Sequence, residues 1–167
     1  LIRLVNDLLL LARADAGRSL AQEPVKIQPV IEETVRQVRL LDPKRQISLE
    51  IPAELEIIGD RDAFKQVMLI LLDNALKHSN EKIDVKAHST DFGVEIHIRD
   101  YGEGIAPDVL PHVFDRFYRG EEQVIVPGFG LGLPIAKALV ESMGGKISIE
   151  SELGKGSVVI THFLDVR

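Results

Sequence analysis

An amide at position 74, a lysine at 77 and a histidine at 78 close the stretch LILLDNALKHS, Leu69 to Ser79. At 100° per residue, Phe64, Val67, Met68, Leu71, Leu72 and Ala75 share one face of a helix, and Asn74 sits at the rim of that face. Ile70 and Lys77 lie beside Asn74, one turn either way, His78 is close, and Asp73 points nearly opposite the core. A rim amide either hydrogen-bonds a neighbouring loop or offers its oxygen to a ligand. Asp73 and Lys77 have the i,i+4 spacing of a weak ion pair, and His78 alone reads as an edge histidine with its own partner. In RDYGEGI, Arg99 to Ile105, a strand ends in Asp100, with Gly102 and Gly104 after it. A carboxylate there can accept a hydrogen bond from an exocyclic amine such as that of adenine. The glycines serve either a plain tight turn or the approach of a flat ligand.

Two further groups suit phosphate. In GFGLGLPIAK, Gly128, Gly130 and Gly132 lead into a helix with Pro134 in its first turn. Such a loop exposes backbone N–H groups at the positive end of a helix dipole, a setting for phosphate oxygens. A dinucleotide-binding fingerprint would need its third glycine at position 133, which is leucine, and Pro127 breaks the strand-to-loop join. In VFDRFYRG, Phe114, Phe117 and Tyr118 alternate with Arg116 and Arg119. The rings fit a short amphipathic piece docked on the domain, and the arginines can reach phosphates when the loop closes.

The elements that must position these groups follow from periodicity. Residues 1–15 read as a helix, with Leu1, Leu4, Val5, Leu8, Leu11 and Ala12 at helical spacing and Gly17 after it. GRSLAQEPV is a connector. A helix is expected over 29–41, ended by Asp42-Pro43, then short strands in ISLEI and ELEIIGD, then the helix over 60–79. KIDVKAHS and GVEIHIRD alternate with period two and form a hairpin around Asp91–Gly93. Residues 101–130 dissolve into Gly, Pro and charge, a helix resumes at 131–143, and two strands close the chain around LGKGS. Adjacent strands on short turns favour antiparallel pairing with helices on one face, an α+β, two-layer α/β sandwich. An irregular stretch of nearly 30 residues in a compact domain is usually functional, often a lid.

Composition narrows the chemistry. The 167 residues, 45% apolar and 28% charged, suit one globular domain or one domain and a fragment of another. No cysteine is present, which excludes disulfides and thiolate metal sites. Net charge is −6 and no basic run exceeds two residues, which argues against broad capture of nucleic acid. The first residue is leucine, so the chain is expected to be a piece of something longer.

Taken together, the four groups resemble, in order and spacing, the catalytic and ATP-binding domain of bacterial sensor histidine kinases, in the superfamily shared with gyrase B, mismatch-repair and heat-shock ATPases. LLDNALKHS is similar to the N box, DYGEGI to the first glycine box, VFDRFYRG to the F box, GFGLGLPIAK to the second glycine box and GKGS to a last glycine turn. The resemblance covers about residues 22–164. It implies the mixed, mostly antiparallel sheet of the Bergerat-type ATP-binding fold over 23–167, with a lid over about 105–129. Residues 1–16 would end the second helix of a dimerisation and phosphoacceptor domain, and 17–22 would connect the two.

The resemblance also implies roles. Asp100 would accept from the adenine amine, with Gly102, Gly104, Ile105 and His78 around it. Asn74 would ligate Mg2+, while Lys77 and Arg116 or Arg119 would neutralise phosphate. Phe117, Tyr118, Gly128, Gly130, Leu131, Gly132 and Leu133 would complete the ATP site. The partners implied are the phosphoacceptor domain of the same protein, a response regulator and a second copy in a homodimer. The localisation implied is a cytoplasmic domain of a parent anchored in the bacterial inner membrane. Two departures stand out. Ile70 occupies a position where the kinases carry a second asparagine and the gyrase-like ATPases a water-activating glutamate. None of the five histidines, at 78, 88, 97, 112 and 162, has the context of a phosphoacceptor. A non-catalytic nucleotide-sensing module and a protein serine kinase of the anti-sigma type are the alternatives.

Overall fold

The computed structural model describes residues 20–116 and 132–166, together with Leu9 and Ala12, which are helical and exposed. The rest of the helix read at 1–15 lies outside the described residues. The chain enters through β1 (Glu23–Lys26), which runs directly into α1 (Ile27–Leu41). Ile27, Val30, Ile31, Thr34, Val35 and Val38 are its buried residues, the i, i+3, i+4 stripe of a half-buried helix. It begins two residues before the apolar periodicity suggests, because Pro29 needs no N–H partner in a first turn. Strands β2 (Ile47–Glu50) and β3 (Glu56–Gly59) lead to α2 (Arg61–His78). Asp60 caps α2, its Oδ1 accepting from the Ala63 N–H at 3.0 Å, and its Oδ2 accepts from the Ala21 N–H at 3.0 Å.

Then come β4 (Ile83–Thr90) and β5 (Gly93–Asp100), a one-turn 3-10 helix at Leu110–His112, α3 (Gly132–Ser142), β6 (Lys146–Glu152) and β7 (Gly156–Phe163). Five strands form one sheet in the order β2-β4-β5-β7-β6, with β2 parallel to β4 and every other pair antiparallel. Alternation sorts the faces. Ile83, Val85, Val94, Ile96, Ile98, Val159 and Phe163 are buried beneath the helices. Lys86, His88, Glu95, His97 and Arg99 occupy the opposite face. Phe64 of α2 meets Phe163 edge to face, centroids 5.4 Å apart, at the centre of the core. The fold is α+β, as expected.

One strand was not expected. EPVK pairs antiparallel with β3 in a separate two-stranded sheet, Glu23 opposite Gly59 and Lys26 opposite Glu56. Four residues with a proline give no alternation to read, and Pro24 is tolerated because the strand is an edge.

Candidate functional site

The end of α2, the end of β5 and the start of α3 meet at one side of the molecule. Asp100 is the last residue of β5 and only 6% exposed. Its Oδ1 accepts from the Gly102 N–H at 3.0 Å, and its carboxylate also accepts from the Ser157 backbone N–H on β7. Burial raises its pKa above the ordinary value, partly offset by those two N–H groups and by His78. His78, at the last turn of α2, is shifted the other way. Its desolvation disfavours the imidazolium, against a smaller opposing pull from Asp100. A buried carboxylate and a desolvated imidazole thus sit close enough to feel each other's charge.

The two glycines after Asp100 are required by protein packing. A Cβ on Gly102 would come 2.0 Å from the His78 carbonyl oxygen, so the loop lies directly on the end of α2. Gly104 has φ +78°, and a Cβ there would lie 2.2 Å from the Glu152 carbonyl oxygen. Behind Asp100, Gly156 has φ +94°, and a Cβ there would meet the Asp100 carbonyl oxygen at 2.2 Å. The β6–β7 turn and the Asp100 loop are further tied by the Gly154 N–H donating to the Glu103 carbonyl at 2.7 Å.

Asn74 is half-buried in the C-terminal part of α2. Lys77 is ion-paired with Asp73, Nζ to Oδ2 at 2.7 Å, so the i,i+4 pair is formed and a phosphate must compete for it. Ile70 is half-buried against the core, and its Cγ2 lies 3.5 Å from where a Cβ on Gly132 would stand. The first turn of α3 therefore abuts the face of α2 that carries Ile70. Leu133 packs partly buried beside it, and Pro134 is buried.

Ile105, half-buried, is anchored through its N–H to Ser151 Oγ at 2.7 Å. Phe114 lies under Lys137 of α3, Nζ 5.6 Å from the ring centroid, so the described part of the aromatic piece docks on the domain. Arg116 is exposed at the end of that part. Arg119, Phe117, Tyr118, Gly128, Gly130 and Leu131 lie outside the described residues.

Sequence reasoning missed Ser151 and Ser157. Both stand at inward-facing positions of β6 and β7, where alternation calls for apolar side chains, and they bond each other through their hydroxyls at 2.7 Å. That break in alternation was the available signal. A recess lined by Ile58, Phe92 and Leu164 lies at the other end of β5 from Asp100 and takes no part.

Known proteins place this geometry. A family model described as histidine kinase-, DNA gyrase B-, and HSP90-like ATPase matches residues 59–167. The sensor histidine kinase YkoH of Bacillus subtilis is 34% identical over 96% of this chain, which spans 36% of that protein. The histidine-protein kinase/phosphatase MprB of Mycolicibacterium smegmatis is 35% identical over 92% of the chain, which spans 32% of it. The chain thus spans about a third of the length of these two relatives. Among solved structures, a mycobacterial sensor histidine kinase MprB superposes with TM-score 0.78 at 29% identity, covering 87% of this chain and 98% of its own. Full-length ShkA in complex with AMPPNP gives TM-score 0.83 at 28% identity, covering 98% of this chain and 36% of its own.

Proposed function

The chain belongs to the histidine kinase-, DNA gyrase B-, and HSP90-like ATPase family, and from that premise we propose that it is the ATP-binding catalytic module of a sensor histidine kinase. Its task is to hold ATP so that a histidine on a separate dimerisation domain attacks the γ-phosphorus. A P–N bond forms there as the P–O bond to ADP breaks. The observation that carries this reading is the buried Asp100 at the end of β5, where the following loop packs on the end of α2. Its remaining acceptor capacity suits the amino group of adenine. Burial supports selectivity, because a partner lacking that donor leaves a desolvated carboxylate unsatisfied. His78, Gly102, Gly104 and Ile105 shape the base pocket around it.

Phosphoryl transfer asks a protein mainly for positioning and charge stabilisation. The start of α3 at Gly132 and Leu133 offers N–H groups and the positive dipole end, and Gly128, Gly130 and Leu131 extend that cradle. Lys77, Arg116 and Arg119 add positive charge, Lys77 by leaving Asp73, and Phe117 and Tyr118 close the lid over the nucleotide. The half-buried amide of Asn74 fits Mg2+, whose hard oxygen preference its carbonyl oxygen meets. If bound there, Mg2+ would neutralise phosphate charge. Ile70, without a donor atom, would offer no second protein ligand there.

The partners follow from the reading: the phosphoacceptor domain joined through residues 1–16 and the connector 17–22, a second copy of the parent protein, and a response regulator whose aspartate takes the phosphoryl group. The parent is anchored in the inner membrane with this module in the cytoplasm. Among the described residues no helix is long and apolar enough to cross a membrane.

The test mixes the chain with a purified acceptor domain and radiolabelled ATP. Acid-labile phosphohistidine on the acceptor, lost with Asp100→Asn, is the expected result. No transfer despite ATP binding would leave a nucleotide sensor, and acid-stable phosphate would make it a serine kinase. Label on a histidine of the chain alone would overturn the absence of a phosphoacceptor.

A further inference from the structure

The sheet face turned away from the helices carries a cluster that the nucleotide site does not use. His88 of β4 stands directly across from Glu95 of β5, and His97 follows Glu95 on the same face. His97 Nε2 lies 2.9 Å from Glu95 Oε1, and His88 Nε2 lies 3.8 Å from the same oxygen. The two imidazole rings are tilted by 57° with centroids 5.3 Å apart, converging on one carboxylate. One donor atom from each of the three residues lies within 4.8 Å of the other two.

These separations are near those of a bound ion. Tetrahedral zinc, with bonds of about 2.0–2.2 Å, holds its ligand atoms about 3.3 Å apart. The two contacts to Glu95 bracket that distance. Rotation of the side chains, His88 being 54% exposed, can draw in the third edge. The backbone beneath is the β4–β5 hairpin, paired in register from Ile83–Asp100 to Thr90–Gly93, so the two strands cannot drift apart. His162, across from Glu95 on β7, has its Nε2 3.5 Å from Thr90 Oγ1 and is not one of the three.

We propose that His88, Glu95 and His97 form a site for a divalent d-block cation, with Zn2+ as the matching ion and solvent completing its coordination. Two imidazoles and a carboxylate with an open position are a zinc-type donor set, whereas Mg2+ and Ca2+ prefer oxygen alone. The site therefore takes a different ion from the one proposed at Asn74 and stands independently of the kinase reading. A bound ion bridges β4 to β5 at mid-strand and stabilises the fold in proportion to its occupancy.

The test titrates the chain with Zn2+ alone, without nucleotide or Mg2+, by calorimetry, and with Co2+ by visible absorption. One ion per chain is expected, with an intense tetrahedral Co2+ band that Zn2+ displaces. His88→Ala, His97→Ala and Glu95→Gln should each weaken binding by about tenfold or more, while His162→Ala leaves it nearly unchanged. ATP affinity should be the same in all four variants. In the unaltered chain, Co2+ should broaden the ring signals of His88 and His97 in NMR and spare those of His78. No saturable binding, or binding that survives the His88→Ala/His97→Ala pair, would overturn the site.

Discussion

Asp100 and His78, at the proposed nucleotide site, carry pH dependences of opposite sign. The Asp100 carboxyl has a folded pKa above its ordinary 3.8, so the native state holds the proton longer than the unfolded chain. Its contribution to stability is therefore lost as pH rises through the window just above 3.8. His78 has a folded pKa below its ordinary 6.5, so the unfolded chain binds the proton first. Its contribution is lost as pH falls through the window just below 6.5. Denaturant titrations across pH 3 to 7 should show both slopes. Asp100→Asn should erase the first, keep the second and abolish ATP binding. A curve unchanged by that substitution would remove Asp100 from this role. Ile70 gives a second prediction. Because it packs toward Gly132, Ile70→Asn should lower stability by about 1–3 kcal/mol while tightening Mg2+-ATP. Calorimetry with and without Mg2+ separates the two effects, and unchanged affinity would refute the second.

Helix α2 is held at both ends, and its C-terminal clamp matters for the site. Arg45, whose side chain is 8% exposed, donates from Nη2 to the Leu76 carbonyl and from Nη1 to Ser79 Oγ, each at 3.2 Å. Asp42 pairs with the same guanidinium at 3.0 Å. The arginine thus satisfies the carbonyl end of the helix that carries Asn74, Lys77 and His78. Arg45→Met keeps the stem but strands those acceptors, and should cost about 1–3 kcal/mol in chemical denaturation. Since Gly102 rests on the His78 carbonyl, the same variant should also weaken ATP binding. Stability lost with affinity intact would show that the helix end and the Asp100 loop are uncoupled.

At the scale of the molecule, the legible parts were those with a period. The apolar stripes of α1 and α2 and the alternation of β4 and β5 marked their elements, and the break after Asp100 marked the proposed site. What stayed hidden depends on partners distant in sequence. EPVK becomes a strand only because β3 lies beside it. Gly102 and Gly104 looked like room for a ligand, yet the atoms nearest them belong to His78 and Glu152, residues no local pattern could bring there. Ser151 and Ser157 carried a signal, polar residues at inward positions, but their role needed the register of β6 on β7 and of β7 on β5.

That register also dates the site. The β4–β5 and β6–β7 hairpins are local and can close within microseconds. The join between β5 and β7 pairs Asp100 with Ser157, across all of the chain between them, α3 and β6 included. Loop-closure entropy delays such a pairing until the hairpins exist. The carboxylate of Asp100 and the N–H of Ser157 that steadies it therefore meet late, so a nucleotide site built on Asp100 forms only near the end of folding. Pulsed hydrogen exchange should find the Ser157 amide protected after those inside the β4–β5 hairpin. Nucleotide added during refolding should then leave the early phases unchanged and act only on the last.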